Sequence, residues 1–401
     1  MTDIQMPLPE EVLTAIRIIN DASQEAFVVG GAVRNFLLNR PVHDYDITTS
    51  ARPETTMALF KDYPLLLSGL KHGTVSVIFG KGKVLEITTY RTESAYKDHR
   101  HPDHVTFTGS LKDDCARRDF TINALCYHPQ LGLMDFFHGL DDLHNHIIRT
   151  VNDPTERFTE DALRILRAVR FAAQLDFTIE ENTARSLQET GYLLDYISFE
   201  RIHDELQAIC SSPHTADILL QYQSIFKIIL PEIKGLDPEE WKRRCEAVRR
   251  CDQLPNVVLA VILGSKDNAQ SAMNRLKYSN DDRKEVKYLL AYQNTPLETD
   301  SDLKHLLCWL PIPLHPYFVY RKALDPQLNA EEIEARCQKM IDDNVCVSIK
   351  QLAINGGDLG RMGVPARMRG TLLYDVLEQV LNDTLPNTRE ALTSYIQSKM
   401  R

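Results

Sequence analysis

A chain of 401 residues, 43% hydrophobic and 25% charged, has an ordinary globular composition and the length for roughly one to four domains with sizeable cores. Its start, Met1 to Glu11, is polar without an apolar signal core, and no apolar run can span a bilayer, so the chain is expected in the cytoplasm, away from membranes. Eight scattered cysteines without a Cys-x-x-Cys pair fit reduced thiols, not a disulfide or zinc framework, and a net charge of −10 leaves nucleic-acid binding to a local basic groove.

The apolar run Ala26-Phe27-Val28-Val29 predicts a buried strand. It stops at Gly30-Gly31, where a tight turn needs no Cβ. Val33, Phe36 and Leu37 then share one face of a predicted helix. Pro41-Val42-His43 leads into a second predicted strand, Asp44 to Thr48. Alternation along that strand sends Asp44 and Asp46 to one face and Tyr45 and Ile47 to the other. Two carboxylates on one rigid face make a hard-oxygen site suited to Mg²⁺. The glycine turn and the helix N-terminus beside it offer a place for phosphate. Together these features point to phosphoryl or nucleotidyl transfer. Taken alone, Asp-x-Asp also fits a turn residue followed by a surface position. The string Gly30-Gly31-Ala32-Val33-Arg34, followed by Asp44-x-Asp46, resembles the signature of class II tRNA nucleotidyltransferases and bacterial poly(A) polymerases.

Pro53 suits the first turn of a short helix predicted through Phe60. Thr74 to Phe79 and Lys83 to Tyr90 alternate as strands do. Glu86 points opposite to Leu85 and Ile87. Beside Asp44 and Asp46 it would be a third carboxylate, for a metal or for deprotonating a hydroxyl; otherwise it is a solvent-facing strand residue. Glu93 to Val105 is polar and holds His99, His101 and His104. With no cysteine partner and no regular spacing, it predicts a mobile loop, not a zinc site. His138, His144 and His146 are read in the same way, and His203-Asp204 lies in a helical pattern without a partner set. Arg117-Arg118-Asp119-Phe120-Thr121-Ile122-Asn123-Ala124 offers guanidinium forks for phosphate and a carboxylate for ribose hydroxyls. The same residues suit a surface ion-pair cluster. In this order along the chain they resemble the second motif of the family.

Past Thr150 amphipathic helices dominate. Thr159 is a plausible N-cap, with Glu160-Asp161 in the first turn. Arg164, Arg167 and Arg170 recur every three residues, with Arg164 close to Asp161, while Leu163, Ile165, Leu166, Val169 and Phe171 pack elsewhere. A solvated basic face accounts for this pattern; base selection is the specific alternative. Cytosine and adenine each present an amino donor beside a ring-nitrogen acceptor, whereas uracil and guanine present a carbonyl beside an N–H. An Asp that accepts and an Arg that donates match only the first pair. Glu160-Asp161-Ala162-Leu163-Arg164-Ile165-Leu166-Arg167 resembles the nucleotide-selecting motif of the family, and Ile197-Ser198-Phe199-Glu200-Arg201 an element that braces it. From Ser211 onward, prolines break a series of helices and no catalytic constellation appears. Ala353 to Leu359 resembles part of the family's tRNA-contacting C-terminal region, and Arg361, Arg367 and Arg369 follow it.

The resemblance runs from about residue 24 to 210 and, more thinly, near the C-terminus. It implies an α+β fold: an N-terminal nucleotidyltransferase head with a mixed sheet and helices (1–149), then an all-α neck (150–210), body (211–325) and tail (326–401). It implies that Asp44 and Asp46 hold two Mg²⁺ ions, with Glu86 as a third carboxylate. Gly31, Arg34 and Arg118 would hold a triphosphate, with Asp119 near the ribose. Asp161 and Arg164 would read the base, and Arg167 and Arg170 would complete the nucleotide pocket. The implied partners are ATP, CTP and tRNA lacking all or part of its 3′ CCA. Gly69-Leu70-Lys71-His72-Gly73-Thr74 looks like the CCA-adding branch, and the loop after the Glu86 strand is present, with Tyr96, Asp98 and Arg100 in it. CC-only, A-only and poly(A) products stay open, as does a non-catalytic RNA-binding relative, whose mark would be a lost metal carboxylate. The family usually has Asp after the first arginine; here Asn35 stands there, and tuning of activity is expected, not its loss.

Overall fold

The computed structural model of the chain describes residues 4–96 and 102–400. The chain divides into two compact units, Met1–Lys234 and Gly235–Arg401. In the first unit, α1 (Glu10–Asp21) buries Val12, Ala15, Ile16 and Ile19, an apolar stripe at helical spacing. The strand β1 (Ala26–Val29) is buried throughout. Then follow α2 (Gly31–Leu37), β2 (Asp46–Thr49), α3 (Pro53–Leu59), β3 (Leu65–Leu66), β4 (Thr74–Phe79) and β5 (Lys83–Thr89). Next come β6 (Arg91–Tyr96), β7 (Pro102–Phe107), α4 (Leu111–Ala116), β8 (Cys126–His128) and β9 (Gly132–Met134). A seven-stranded sheet has the order β3-β4-β5-β2-β1-β8-β9. The β2–β5 pair is parallel and its other pairs are antiparallel, so the sheet is mixed, as expected.

Two local expectations change in the head of this unit. The second strand begins at Asp46, not Asp44, because its partner β1 ends at Val29, opposite Asp46. Gly30, at φ 71° and ψ −130°, turns the chain out of the ladder there. The polar stretch after Arg91 is a β6–β7 hairpin, not a loop, with Arg91 opposite Phe107 and Tyr96 opposite Pro102. Cross-strand hydrogen bonds hold it without an apolar pattern. His99, His101, Asp98 and Arg100 lie outside the described residues.

The first unit continues through α5 (Gly139–His144), β10 (Ile147–Ile148), α6 (Pro154–Glu160), α7 (Leu163–Leu175), β11 (Thr178–Ile179), α8 (Glu181–Glu189), α9 (Phe199–Cys210), α10 (Thr215–Gln221) and α11 (Gln223–Ile229). The N-cap expected at Thr159 belongs instead to Asp153. Its side chain accepts from the Glu156 N–H, and Pro154 sits in the first turn, a stronger start signal six residues upstream. The chain then leaves helical geometry at Asp161 (φ −137°, ψ 101°) and re-enters at Leu163.

The second unit is helical: α12 (Pro238–Val248), α13 (Pro255–Leu263), α14 (Lys266–Arg275), α15 (Asn280–Ala291), α16 (Asp300–Trp309), α17 (Leu314–Leu324), α18 (Ala330–Asp342), α19 (Gly356–Arg361), α20 (Ala366–Leu381) and α21 (Arg389–Lys399). Every residue from Asn256 to Leu263 is buried, so α13 is a core helix rather than an amphipathic one. Gly356-Gly357 opens α19, where Asn355 and Asp358 form a capping box. Among the described residues no helix is long and apolar enough to cross a membrane.

Candidate active site

The site grows from the alternation of two neighbouring strands. Ile47 on β2 and Leu85 and Ile87 on β5 are buried beneath the sheet. Asp46 and Glu86, one position out of phase with them, face solvent and stand opposite each other in the parallel register. Asp44, exposed just ahead of β2, is near enough for its charge to act on Asp46. The Asp46 carboxyl is pushed above its ordinary range, first by loss of water and then by the charge of Glu86; Asp44 adds to the rise and Arg118 opposes it. Crowded carboxylates of this kind favour a cation. Among the described residues, no three His, Cys, Asp or Glu side chains converge into a metal cage. Mg²⁺ does not require one, because it keeps several waters and takes one or two carboxylates together with substrate phosphates. The open Asp44–Asp46 pair beside Glu86 has that donor chemistry.

The cationic side starts at the glycine turn. Gly31 is the first residue of α2, and a Cβ built there would lie 3.7 Å from Arg34 Nη2; one built on Gly30 would lie 3.4 Å from Arg118 Nη1. Arg118 therefore lies over the turn that adjoins Asp46. The same β2 face continues to Thr48, whose hydroxyl donates to Asp114 Oδ2 at 2.9 Å. Asp114 is fully buried, and its side chain also pairs with Arg117 (2.8 Å) and Arg118 (3.4 Å). Burial alone would raise its carboxyl, but the two arginines win and lower it. Asp114 thus anchors the arginines to the carboxylate strand. Arg34 is 9% exposed, donating to Asn123 Oδ1 at 2.6 Å and, through Nε and Nη2, to Asn35 Oδ1 at 3.1 and 2.9 Å. Burial and neighbouring arginines bring its pKa down to about 10, against the pull of Asp119. Asn35 is thus an orienting amide for Arg34.

Helix α7 supplies the other wall. Asp119 Oδ2 accepts from Arg167 Nε and Nη2 at 2.8 and 2.6 Å, while Oδ1 accepts from the Phe120 N–H and from Asn123 Nδ2. Arg170 Nε donates to Glu205 Oε2 on α9 at 2.7 Å. Arg201 grips Asp161 through Nη1 and Nη2 at 3.2 and 2.8 Å, and Asp161 Oδ1 also takes the Leu163 N–H at 3.1 Å. Arg164 is close to Asp161, as expected, with its backbone N–H donating to the Asp161 carbonyl at 3.0 Å, while its side chain engages other partners. That side chain donates to Glu160 Oε2 (2.6 Å) and to the carbonyls of Arg157 and Arg117. Arg164 thus holds a carbonyl at the C-terminal end of α4, where cations suit the helix dipole. Phe171, expected to pack away from the arginines, lies against three of them. Asp114, Asn123 and Glu205 carry structure that the sequence did not assign to them. The spacing of Asp114 to Arg117 and Arg118 was a usable local signal; Glu205 had none.

Asp119 gives a stability prediction. Burial would raise its carboxyl, yet Arg167 and Asn123 bring it down to about 2, against an ordinary unfolded value of about 3.9. A lowered carboxylate contributes stability above the unfolded value and loses that contribution as pH falls toward the folded one. Asp119→Asn is therefore expected to destabilise by about 3 kcal/mol at pH 7, with the gap to wild type closing between about pH 4 and 2. Denaturant titrations across that range test it, and a gap independent of pH would contradict the ion-pair account.

A poly A polymerase head domain model matches residues 26–149, a probable RNA and SrmB-binding site of polymerase A matches 176–236, and a tRNA nucleotidyltransferase domain 2 matches 255–396. The chain is 36% identical over 400 residues to the CCA-adding enzyme of Pediococcus pentosaceus, covering 96% of this chain and 97% of that one. It is 35% identical over 412 residues to that of Lactobacillus johnsonii, covering 97% and 98%. The structure of the Bacillus stearothermophilus CCA-adding enzyme in complex with CTP is similar with a TM-score of 0.81 and 28% identity, over 99% of this chain and 98% of that one.

Proposed function

Because the chain belongs to the CCA-adding enzymes, tRNA nucleotidyltransferases of class II, we propose that it completes tRNA 3′ ends with CCA from CTP and ATP in the cytoplasm, without a nucleic-acid template. The observation that supports this reading is a carboxylate pair, Asp46 opposite Glu86 with Arg118 acting on Asp46, in the same unit as the arginines of α2 and α7 gathered at Phe171. We assign residues 1–149 to the nucleotidyltransferase head, 150–210 to a neck that selects the nucleotide, 211–325 to a helical body and 326–401 to a tail that binds tRNA.

Asp44 and Asp46 would hold Mg²⁺, two ions by the pattern of the family, which when bound would acidify the RNA 3′-hydroxyl and neutralise triphosphate charge. Glu86, opposite Asp46, would take the hydroxyl proton. Arg118 above the glycine turn and Arg34 behind it bind the triphosphate, with the Gly31 end of α2 as a further anion site. Arg34 suits this because its side-chain partners are neutral amides that orient it without cancelling its charge. Asp119, with both oxygens engaged, acts on the ribose side through Arg167 rather than by direct reach. Asp161 accepts the base amino group and Arg164 donates to the ring nitrogen, with Arg201 and Glu160 fixing their orientation. Arg167 and Arg170 complete the pocket wall.

Three tRNA transcripts test the product, ending before CCA, after one C and after both Cs. Each is incubated with Mg²⁺ and all four nucleotides, and the 3′ ends are sequenced. Every transcript is expected to stop at CCA. A stop at CC, action only on the CC end, or A tails would keep the chemistry and change the product; no extension of any transcript would return the chain to an RNA-binding role.

A further inference from the structure

We infer that Phe171 is a positioning residue for nucleotide binding: one buried ring gathers Arg34, Arg167 and Arg170 into a single cationic cradle. This rests on the reading of these arginines as the nucleotide pocket.

The guanidinium carbons of Arg170, Arg34 and Arg167 lie 4.4, 4.9 and 5.4 Å from the centroid of this ring, all inside cation–π range. The ring is 5% exposed, so water screens these contacts little. Phe120, adjacent to Asp119, meets it edge-on at 5.7 Å and 85°. The ring therefore joins three separated segments: the helix after the glycine turn, the Arg-Asp-Phe segment and α7.

Like charges resist being gathered in this way. Arg167 and Arg170 each lower the pKa of Arg34, as does Arg40. Asp119 engages Arg167, and Glu205 engages Arg170, while the Arg34 side chain donates to the amide oxygens of Asn35 and Asn123. Three cations against two carboxylates leave a positive remainder for a triphosphate. A third carboxylate could gather the arginines equally well but would cancel that remainder. An aromatic face attracts cations through its quadrupole while carrying no charge. An ordinary core phenylalanine packs against apolar neighbours; this one stands where the hydrophobic stripe of α7 meets its arginine ladder.

The test replaces Phe171 with 4-fluoro-, 3,5-difluoro- and 3,4,5-trifluorophenylalanine by amber suppression in the full chain. Fluorine strips electron density from the ring face and hardly alters its shape, so folding is preserved along the series. CTP and ATP dissociation constants, KM, kcat and melting temperature are measured with a tRNA transcript as acceptor. KM and the dissociation constants for both nucleotides are expected to rise stepwise, reaching about tenfold at the trifluoro ring, with kcat within about twofold and melting unchanged. Phe171→Leu is expected to exceed that rise, and Phe171→Tyr to stay near wild type. A flat KM across the series would overturn the inference, as would a fall in kcat at constant KM or losses that follow melting temperature. Failure of the unsubstituted enzyme to bind CTP or ATP would overturn the nucleotide-pocket reading itself, and this inference with it.

Discussion

Asp46→Ala is expected to lower CMP and AMP incorporation at least about a thousandfold while leaving tRNA affinity within about twofold. Asp46 sits on a rigid strand between Val29, which precedes the glycine turn, and Glu86. On the proposed reading, removing its carboxylate takes away a metal donor. Glu86 is displaced by one full strand spacing, about 4.8 Å, and cannot take over from there without backbone movement. Asp46 also forms no part of the buried network around Asp114, so its loss leaves the arginines anchored through Thr48. Asp44→Ala is expected to behave similarly, since Asp44 stands just ahead of β2, outside the ladder, and its charge acts on Asp46. Single-turnover extension of a tRNA ending in CC, beside filter binding of the same RNA, separates chemistry from binding. Turnover within tenfold of wild type in either variant would sink the metal assignment.

What was legible in the sequence follows the range of the physics involved. The carboxylate strand and the exposed Glu86 were legible because a period of two is local and unforgiving: Ile47, Leu85 and Ile87 had to face the core. That β2 and β5 pair in parallel, bringing Asp46 opposite Glu86, is a long-range fact with no signature in either segment. The helix around Thr159 starts earlier than that residue predicts, because two start signals compete within seven residues. Asp153-Pro154 wins, since its cap bond and its proline both favour an earlier helix, and the chain breaks at Asp161 before a second helix starts at Leu163. The Arg164–Glu160 spacing of four was nonetheless available as an ion-pair signal. Glu205 was invisible because its partners lie 35 residues away on another helix. Phe171 was visible only as one more apolar position, since periodicity cannot tell a ring that packs on leucines from one that packs on guanidinium groups.

Asp161→Asn is expected to change which nucleotide is added more than how fast a correct one is added. The substitution is conservative toward the fold: an amide oxygen can still cap the Leu163 N–H, which Asp161 Oδ1 does now at 3.1 Å. Toward a base it is not conservative, because the amide also presents N–H donors. Facing cytosine or adenine, a donor meets the exocyclic amino group; facing uracil or guanine, it meets a carbonyl. A mispaired polar group costs about 1–3 kcal/mol, and a tenfold ratio is about 1.4 kcal/mol, so the preference for C and A over U and G is expected to fall about tenfold to a hundredfold. The ion pair with Arg201 weakens at the same time, which loosens the orientation of the side chain and accounts for a smaller, shared loss in rate. Arg164→Lys tests the second half of the pair. A lysine can still reach Glu160 but cannot hold the Arg157 and Arg117 carbonyls and a ring nitrogen in one plane. Competition assays with equimolar CTP and UTP on a tRNA lacking CCA, and ATP and GTP on one ending in CC, read both ratios directly. If both variants lose rate while the ratios stay at wild-type values, Asp161 and Arg164 serve only to join the neck to the head, and base choice must be made elsewhere in the pocket.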